Sequence, residues 1–242
     1  VPVHFAGQSC NMEAIWELSK EYKFKVVEDA SHALGGTYKG EKIGNCKYSD
    51  MSVFSFHPVK MITTGEGGAV TTNSKSLDEK VSLLRTHGIT KDPSQFISKP
   101  HGDWYYEQQS LGYNYRLTEI QAALGISQLK RLDSFVVKRR EIAEFYLQNL
   151  DQKITPTQLL DTNSSWHLFV VQVRNRQKTY QQLKDSGIQS QVHYIPVNAQ
   201  PFYNHKTLPN CEMFYQHCLS LPIYFDLTKE QCEQVVSCIN HD

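Results

Sequence analysis

The residues that most restrict how this 242-residue chain can fold are 50–72. Asp50-Met51-Ser52-Val53-Phe54 is a run of β-formers, Ala69-Val70-Thr71-Thr72 is another, and Gly65-Glu66-Gly67-Gly68 immediately precedes the second. The pattern predicts strand, loop, glycine turn, strand. It places Lys60 at the end of a buried strand, just ahead of the turn. Burial there lowers a lysine pKa and frees the amine as a nucleophile toward carbonyls. Taken alone, the stretch is equally compatible with a solvated loop lysine.

The rest of the chain arranges helices and strands around it. Val3 to Phe5 reads as a short strand closed by Ala6-Gly7, and Asn11 as the N-cap of a helix through about Glu21, with Met12, Ile15, Trp16 and Leu18 on its apolar face. Lys25 to Asp29 is then a buried strand parallel to the first, because a helix separates them. In parallel sheets, ligands bind at the carboxyl ends of strands, where Asp29 stands. Ser55 occupies the same kind of position on the next strand. Asp78 to His87 reads as a helix stopped by Gly88, and Thr90 to Tyr106 as a long surface loop. The apolar periodicity from Leu117 to Leu150 predicts a long helical region with a break near Asp133. Glu107 and Arg116 read as an ion pair or a loop anchor.

Beyond that region the texture changes. Trp166 to Val173 is a predicted strand, Gln177 to Ser186 a helix ended by Gly187, and Gln189 to Tyr194 another strand. Ser220 to Ile223 is extended, and Thr228 caps a last helix through about Ile239. The alternation predicts an α/β protein with two units, residues 1–130 and 131–242.

Charge and cysteine usage narrow the class. The 25 basic residues cancel the 25 acidic ones, so no overall field favours nucleic acid or a membrane surface. No apolar run reaches the length of about 18 residues that a spanning helix needs, and the chain starts without a signal-peptide pattern. Its six cysteines form no C-x-x-C pair and no zinc-finger spacing with histidine, so no metal is expected. They read as free thiols of a reducing compartment, which predicts a cytoplasmic protein.

An acid at Asp29, a hydroxyl at Ser55 and an amine at Lys60, all at or beyond strand ends, are the minimum a protein contributes to pyridoxal-phosphate chemistry. The motifs around them are more specific. E-D-A-S-H-A at 28–33, F-S-F-H-P-V-K at 54–60, G-E-G-G at 65–68 and G-Y-N-Y-R-L-T-E at 112–119 resemble, in order and spacing, the DegT/DnrJ/EryC1/StrS family. Trp104-Tyr105-Tyr106-Glu107, Trp166-His167-Leu168-Phe169, Val192-His193-Tyr194-Ile195-Pro196 and Ser220-Leu221-Pro222 extend the likeness along the chain. It is similar to the branch that aminates UDP-4-keto-6-deoxy-N-acetyl-L-altrosamine toward pseudaminic acid.

The resemblance implies an aspartate-aminotransferase-like fold of type I. It also implies a pyridoxal 5′-phosphate enzyme that moves an amino group from L-glutamate to C4 of a UDP-linked 4-keto-6-deoxy sugar. In that family pattern Lys60 holds the cofactor as an internal aldimine and moves the proton, Asp29 pairs with the ring nitrogen, and Ser31 lies against one ring face. His32 lies near the phenolic oxygen or the substrate, and Ser55 binds the phosphate. Asn114 reaches the cofactor phosphate of a neighbouring subunit, which implies a homodimer. His193, Tyr194 and His167 are substrate contacts by the same pattern, the two histidines being equally readable as structural. Asn198 departs from it, since many relatives have histidine there.

The likeness also implies that about the first third of a full-length member lies ahead of Val1, leaving the large sheet truncated here. A truncated, inactive remnant is therefore the alternative to an active enzyme. A sugar dehydratase is disfavoured, because those relatives replace the lysine at position 60 with histidine.

Overall fold

A computed structural model of the chain describes residues 1–203 and 207–240. Asn11 accepts a hydrogen bond from the Ala14 N–H and starts α1 (Met12–Tyr22), which ends in left-handed backbone at Lys23. Then come β1 (Val27–Asp29), the hairpin of β2 (Thr37–Tyr38) and β3 (Glu41–Lys42), and the pair β4 (Met51–Ser55) and β5 (Gly68–Thr71). β4 lies between β1 and β5. It is parallel to β1, with Asp29 opposite Val53, and antiparallel to β5, with Ser55 opposite Gly68.

The strand expected over Val3 to Phe5 shrinks to one parallel bridge between Val3 and Asp29. The chain turns immediately afterwards, through Ala6 (φ 58°) and Gly7 (φ 105°), both in the left-handed region. At Gly7 the turn leaves no room for a side chain: a Cβ would lie 2.6 Å from Ser165 Oγ and 2.9 Å from the Trp166 nitrogen.

α2 (Lys75–Arg85) starts a turn earlier than its apolar pattern suggested, because Ser74 caps it by accepting from the Leu77 N–H. β6 (Ile89–Thr90) and β7 (Glu107–Gln108) pair across the long loop. Glu107 anchors that loop: its carboxylate takes the N–H groups of Ile97 and Ser98, each at 2.7 Å, and the Tyr105 hydroxyl at 2.8 Å.

The long helical region breaks near Asp133 as expected, at Lys130–Arg131. α3 (Glu119–Leu129) opens with a capping box between Thr118 and Gln121, and α4 (Leu132–Asn149) follows. Asp133 falls in the first turn of α4, where the partial positive charge of the helix N-terminus suits a carboxylate. α3 buries none of its residues; Ile120 is 84% exposed, and Leu124, Ile126 and Leu129 are exposed as well.

The remaining elements are β8 (Thr162–Asn163), β9 (Phe169–Gln172), α5 (Arg176–Asp185), α6 (Pro209–His217), β10 (Cys218–Leu221) and α7 (Lys229–Asn240). β8 adds to β2, and β9 pairs antiparallel with β10. The strand predicted from Trp166 is shorter, because Trp166 takes φ 53° and residues 164–168 form a strap instead. The strand predicted over Gln189 to Tyr194 is only a bridge between Gln191 and Ser220. α6 was not foreseen. Thr228 caps α7 as expected, by accepting from the Gln231 N–H.

α4 ties the molecule together. Its Leu132 and Val136 pack on Met61 and Ile62 of the first half. Its Ile142, Ala143 and Tyr146 pack in the larger core with Phe169, Leu219 and Val235. Burying apolar area of this extent is the main favourable contribution to such a fold.

Candidate functional site

The adjacent carboxyl ends of β1 and β4 bring the first three residues together. Asp29 Oδ1 accepts from the Ser31 N–H at 3.1 Å, which orients the carboxylate and leaves Oδ2 open. Ser55 is the last residue of β4, and its Oγ lies 3.4 Å from the His57 N–H. Lys60 lies in the turn beyond β4, fixed by its own N–H to the His57 carbonyl at 2.9 Å. It is half-buried, in a turn rather than on the strand end itself. Burial lowers the Lys60 pKa, and the nearby Asp29 carboxylate partly offsets that. The lysine is therefore close enough to Asp29 to be charge-coupled to it, and its amine is easier to deprotonate than a solvated one.

Beside this trio stands a wall of histidines. His32 Nδ1 accepts from the Ala6 N–H at 3.3 Å, so in the neutral ring the proton sits on Nε2, which lies 3.4 Å from the Tyr194 hydroxyl. The His32 and His167 rings are 4.4 Å apart. His193 Nδ1 is 2.7 Å from Ser220 Oγ, which holds that ring in place. Burial and then Lys60 depress His32 to about 4, with Asp29 opposing and His193 assisting. His167 is pushed down further, by burial first and then by His32, Arg139, Lys60 and His193. His193 is lowered by burial and Lys60. All three rings stay neutral at physiological pH. Among the described residues, the buried His167 Nδ1 has no hydrogen-bond partner, which leaves it able to receive one from a bound group.

Asn114 is not part of this constellation within one chain. It is exposed, and its backbone bridges to Thr86. The segment following it does approach the glycine turn: Gln121 donates to the Glu66 carbonyl at 3.0 Å. Four residues of the site were not anticipated. The Phe5 ring lies tilted beside His32 at 6.1 Å, Ser165 Oγ donates to the His32 carbonyl at 2.9 Å, Ser220 holds His193, and Arg139 holds the strap. Phe5 and Ser165 carry no local signal. A lone arginine inside the apolar stripe of a helix, as at Arg139, is the one clue that was available.

The donor set fits pyridoxal phosphate. The open Asp29 oxygen suits a protonated ring nitrogen, the Ser55 hydroxyl suits a phosphate, and a half-buried amine suits an aldehyde.

Comparison with known proteins agrees. A family model described as "DegT/DnrJ/EryC1/StrS aminotransferase family" matches residues 1–240. The chain is 41% identical to the uncharacterized protein MJ1066 of Methanocaldococcus jannaschii, over 99% of this chain and 65% of that one. It is 39% identical to a UDP-4-amino-4,6-dideoxy-N-acetyl-beta-L-altrosamine transaminase of Campylobacter jejuni, over 96% of this chain and 62% of that one. Its fold superposes with a TM-score of 0.88, at 35% identity, on Helicobacter pylori PseC, an aminotransferase involved in the biosynthesis of pseudoaminic acid; the match covers 99% of this chain and 65% of PseC. The chain thus spans a little under two thirds of the length of these relatives.

Proposed function

We propose, from the premise that this chain belongs to the DegT/DnrJ/EryC1/StrS aminotransferase family, that it carries the lysine-bearing part of a nucleotide-sugar aminotransferase site. The amino donor is L-glutamate and the acceptor a UDP-linked 4-keto-6-deoxy sugar. The reading rests on one observation: Lys60, half-buried and charge-coupled to Asp29, stands beyond the neighbouring strand ends that carry Asp29 and Ser55.

The family's members depend on pyridoxal phosphate, which when bound acts as the electron sink that lets a carbon next to nitrogen lose a proton. What the chain's own residues do follows from their setting. Lys60 supplies the amine that holds the cofactor and, once released, carries a proton to and from the substrate carbon; its lowered pKa suits both tasks. Asp29, its carboxylate held in register by the Ser31 N–H, would pair through its other oxygen with the ring nitrogen and favour its protonated form. Ser55 would take the phosphate, and Ser31 would help hold the ring end of the cofactor through its bond to Asp29. His32 presents a fixed Nε2–H toward the cleft, while His193, Tyr194 and His167 line the acceptor side.

A homodimer completes this reading. Leu111, Tyr113, Tyr115 and Ile120 are all exposed around Asn114, an apolar surface of the kind a second copy covers. Asn114 then serves the neighbouring subunit's site. The division into residues 1–130 and 131–242, with α4 as the connector, belongs to the same proposal.

The test uses the protein in its natural full length. After incubation with pyridoxal phosphate and borohydride, mass spectrometry is expected to find the reduced adduct on Lys60. 15N-glutamate is expected to pass its label to C4 of a UDP-4-keto sugar. An adduct on another lysine, or label transfer that survives replacement of Lys60, overturns the proposal.

A further inference from the structure

One buried cation takes no part in the chemistry above. Arg139 of α4 is 9% exposed, and no carboxylate pairs with it among the described residues. The two hydrogens of its Nη1 are shared among three backbone carbonyls, those of Trp166 and His167 at 3.1 Å each and of Ile223 at 2.8 Å. The next residue, Arg140, donates from Nε to the Ser164 carbonyl at 3.0 Å. Taking an unpaired cation out of water is unfavourable, and neutral donors could serve the same carbonyls. Stability alone therefore does not account for it.

The segment it grips is the strap over the site. On its other side, residues 164–168 lie against the first half of the chain. The Ser165 N–H donates to the Gly7 carbonyl, the Leu168 N–H to the Ala6 carbonyl, and Ser165 Oγ to the His32 carbonyl. The strap crosses Gly7 too closely for a side chain there, and Trp166 is held in left-handed backbone. Its next residue places the His167 ring against His32.

We infer that Arg139 is a positioning residue for the cofactor cleft. Its guanidinium fixes the strap between α4 and the end of β10, and the strap holds His167 against His32 so that the His32 Nε2–H keeps one direction. The inference rests on the functional reading above only for what His32 faces. The groups around the two rings are Lys60, Asp29, His193 and Tyr194 for His32, and Arg139, Lys60 and His193 for His167. A cation held at position 139 also disfavours charging His167.

The experiment compares wild type, R139M and R139K in the natural full-length protein. The first readout is the 15N imidazole spectrum of His32 and His167, titrated without cofactor. In wild type both rings stay neutral through the ordinary histidine range, about pH 6.5. In R139M, where burial and Lys60 still act, the His167 signals are expected to move and its pKa to rise from the wild-type value, with a smaller change at His32, and R139K, which keeps charge and donors, to return both most of the way. The second readout is the glutamate half-reaction of the loaded enzyme. R139M is expected to lower kcat/KM about tenfold, on the scale of lost positioning, and R139K to recover most of it.

Rings that behave as in wild type in a folded R139M protein overturn the inference, as does a half-reaction that R139M leaves unchanged. If R139M does not fold, R139Q takes its place under the same criteria. If wild type takes up no pyridoxal phosphate, the functional reading fails, and the ring titration still decides the role of Arg139.

Discussion

Two acids stand side by side on β1 and face opposite ways, as successive strand residues do. Glu28 faces the rear, and every part of its surroundings is satisfied. His4 Nε2 is 2.7 Å from Oε2, while the Ser49 and Ser52 hydroxyls both donate to Oε1, the latter at 2.7 Å. The Cys10 N–H lies 3.2 Å from His4 Nδ1 on the other side of the ring. Burial works against a charge on His4, but the hydrogen bonds with Cys10 and Glu28 and the Glu28 charge outweigh it and raise its pKa to about 9. Asp29 faces the front, where one oxygen is open, His167 Nδ1 has no partner and Lys60 is partly desolvated. Both clusters are buried acid–histidine arrangements, yet only one is closed. A polar network that satisfies all its members contributes rigidity; one that leaves groups unspent is set up to receive something.

The contrast is broken most sharply at the front by Lys60→Ala. Turnover is expected to fall by about 10⁴-fold or more, the upper range for removing a proton-transfer group, with little change in the unfolding midpoint. A comparable loss of stability in that variant, measured by denaturant unfolding, would make Lys60 a structural residue and erase the distinction.

At the rear the signs reverse. Glu28→Ala leaves His4, Ser49 and Ser52 as buried donors without an acceptor. It is expected to lower stability by about 3–5 kcal/mol, the scale for breaking a buried charged network. The folded fraction should still take up the cofactor. Loss of cofactor binding without loss of stability would place Glu28 in the site.

The smallest effect separates the two faces by pH. The front histidines have folded pKa values below the ordinary 6.5, His32 at about 4. The unfolded chain therefore takes up their protons first. Their contribution is complete above about pH 6.5 and declines as pH falls below it, by up to ~1.4 kcal/mol per pH unit for each ring. Glu28 is different. Burial raises its pKa, but the hydrogen bonds from His4, Ser49 and Ser52 outweigh this and hold it below 4.5, so its contribution is lost only as pH falls beneath that value. Acid unfolding is thus expected in two stages. His167→Gln should flatten the first and leave the second, as read from unfolding midpoints across pH; a variant that follows the wild-type curve throughout removes the front histidines from the account.

Much of this was legible in local sequence, for physical reasons that are themselves local. Asn11 and Thr228 cap helices through atoms two or three residues away, and Asp29 and Ser55 end runs of β-formers whose pairing partners are equally apparent. The likeness of the 28–33 and 54–60 motifs to one family carried the cofactor with it. Where reading went astray, distant contacts overrode local preference. Gln189 to Tyr194 has strand composition, but among the described residues it pairs its backbone only through the bridge of Gln191 to Ser220. α6 has no strong apolar period to reveal it.

The sequence by itself determined the α/β class, the order of the elements and the identity of the reactive side chains, because those depend on neighbours a few positions away. Only the tertiary structure decided which polar groups were closed and which left open. Glu28 and Asp29 look alike in the chain. It is His4, Ser49 and Ser52 on one face, and the strap held by Arg139 on the other, that make the first a lock and the second part of a site. Hydrogen-bond satisfaction is a property of atoms brought together from far along the chain, as Ser165 and His32 are across 133 residues, and no local pattern records it.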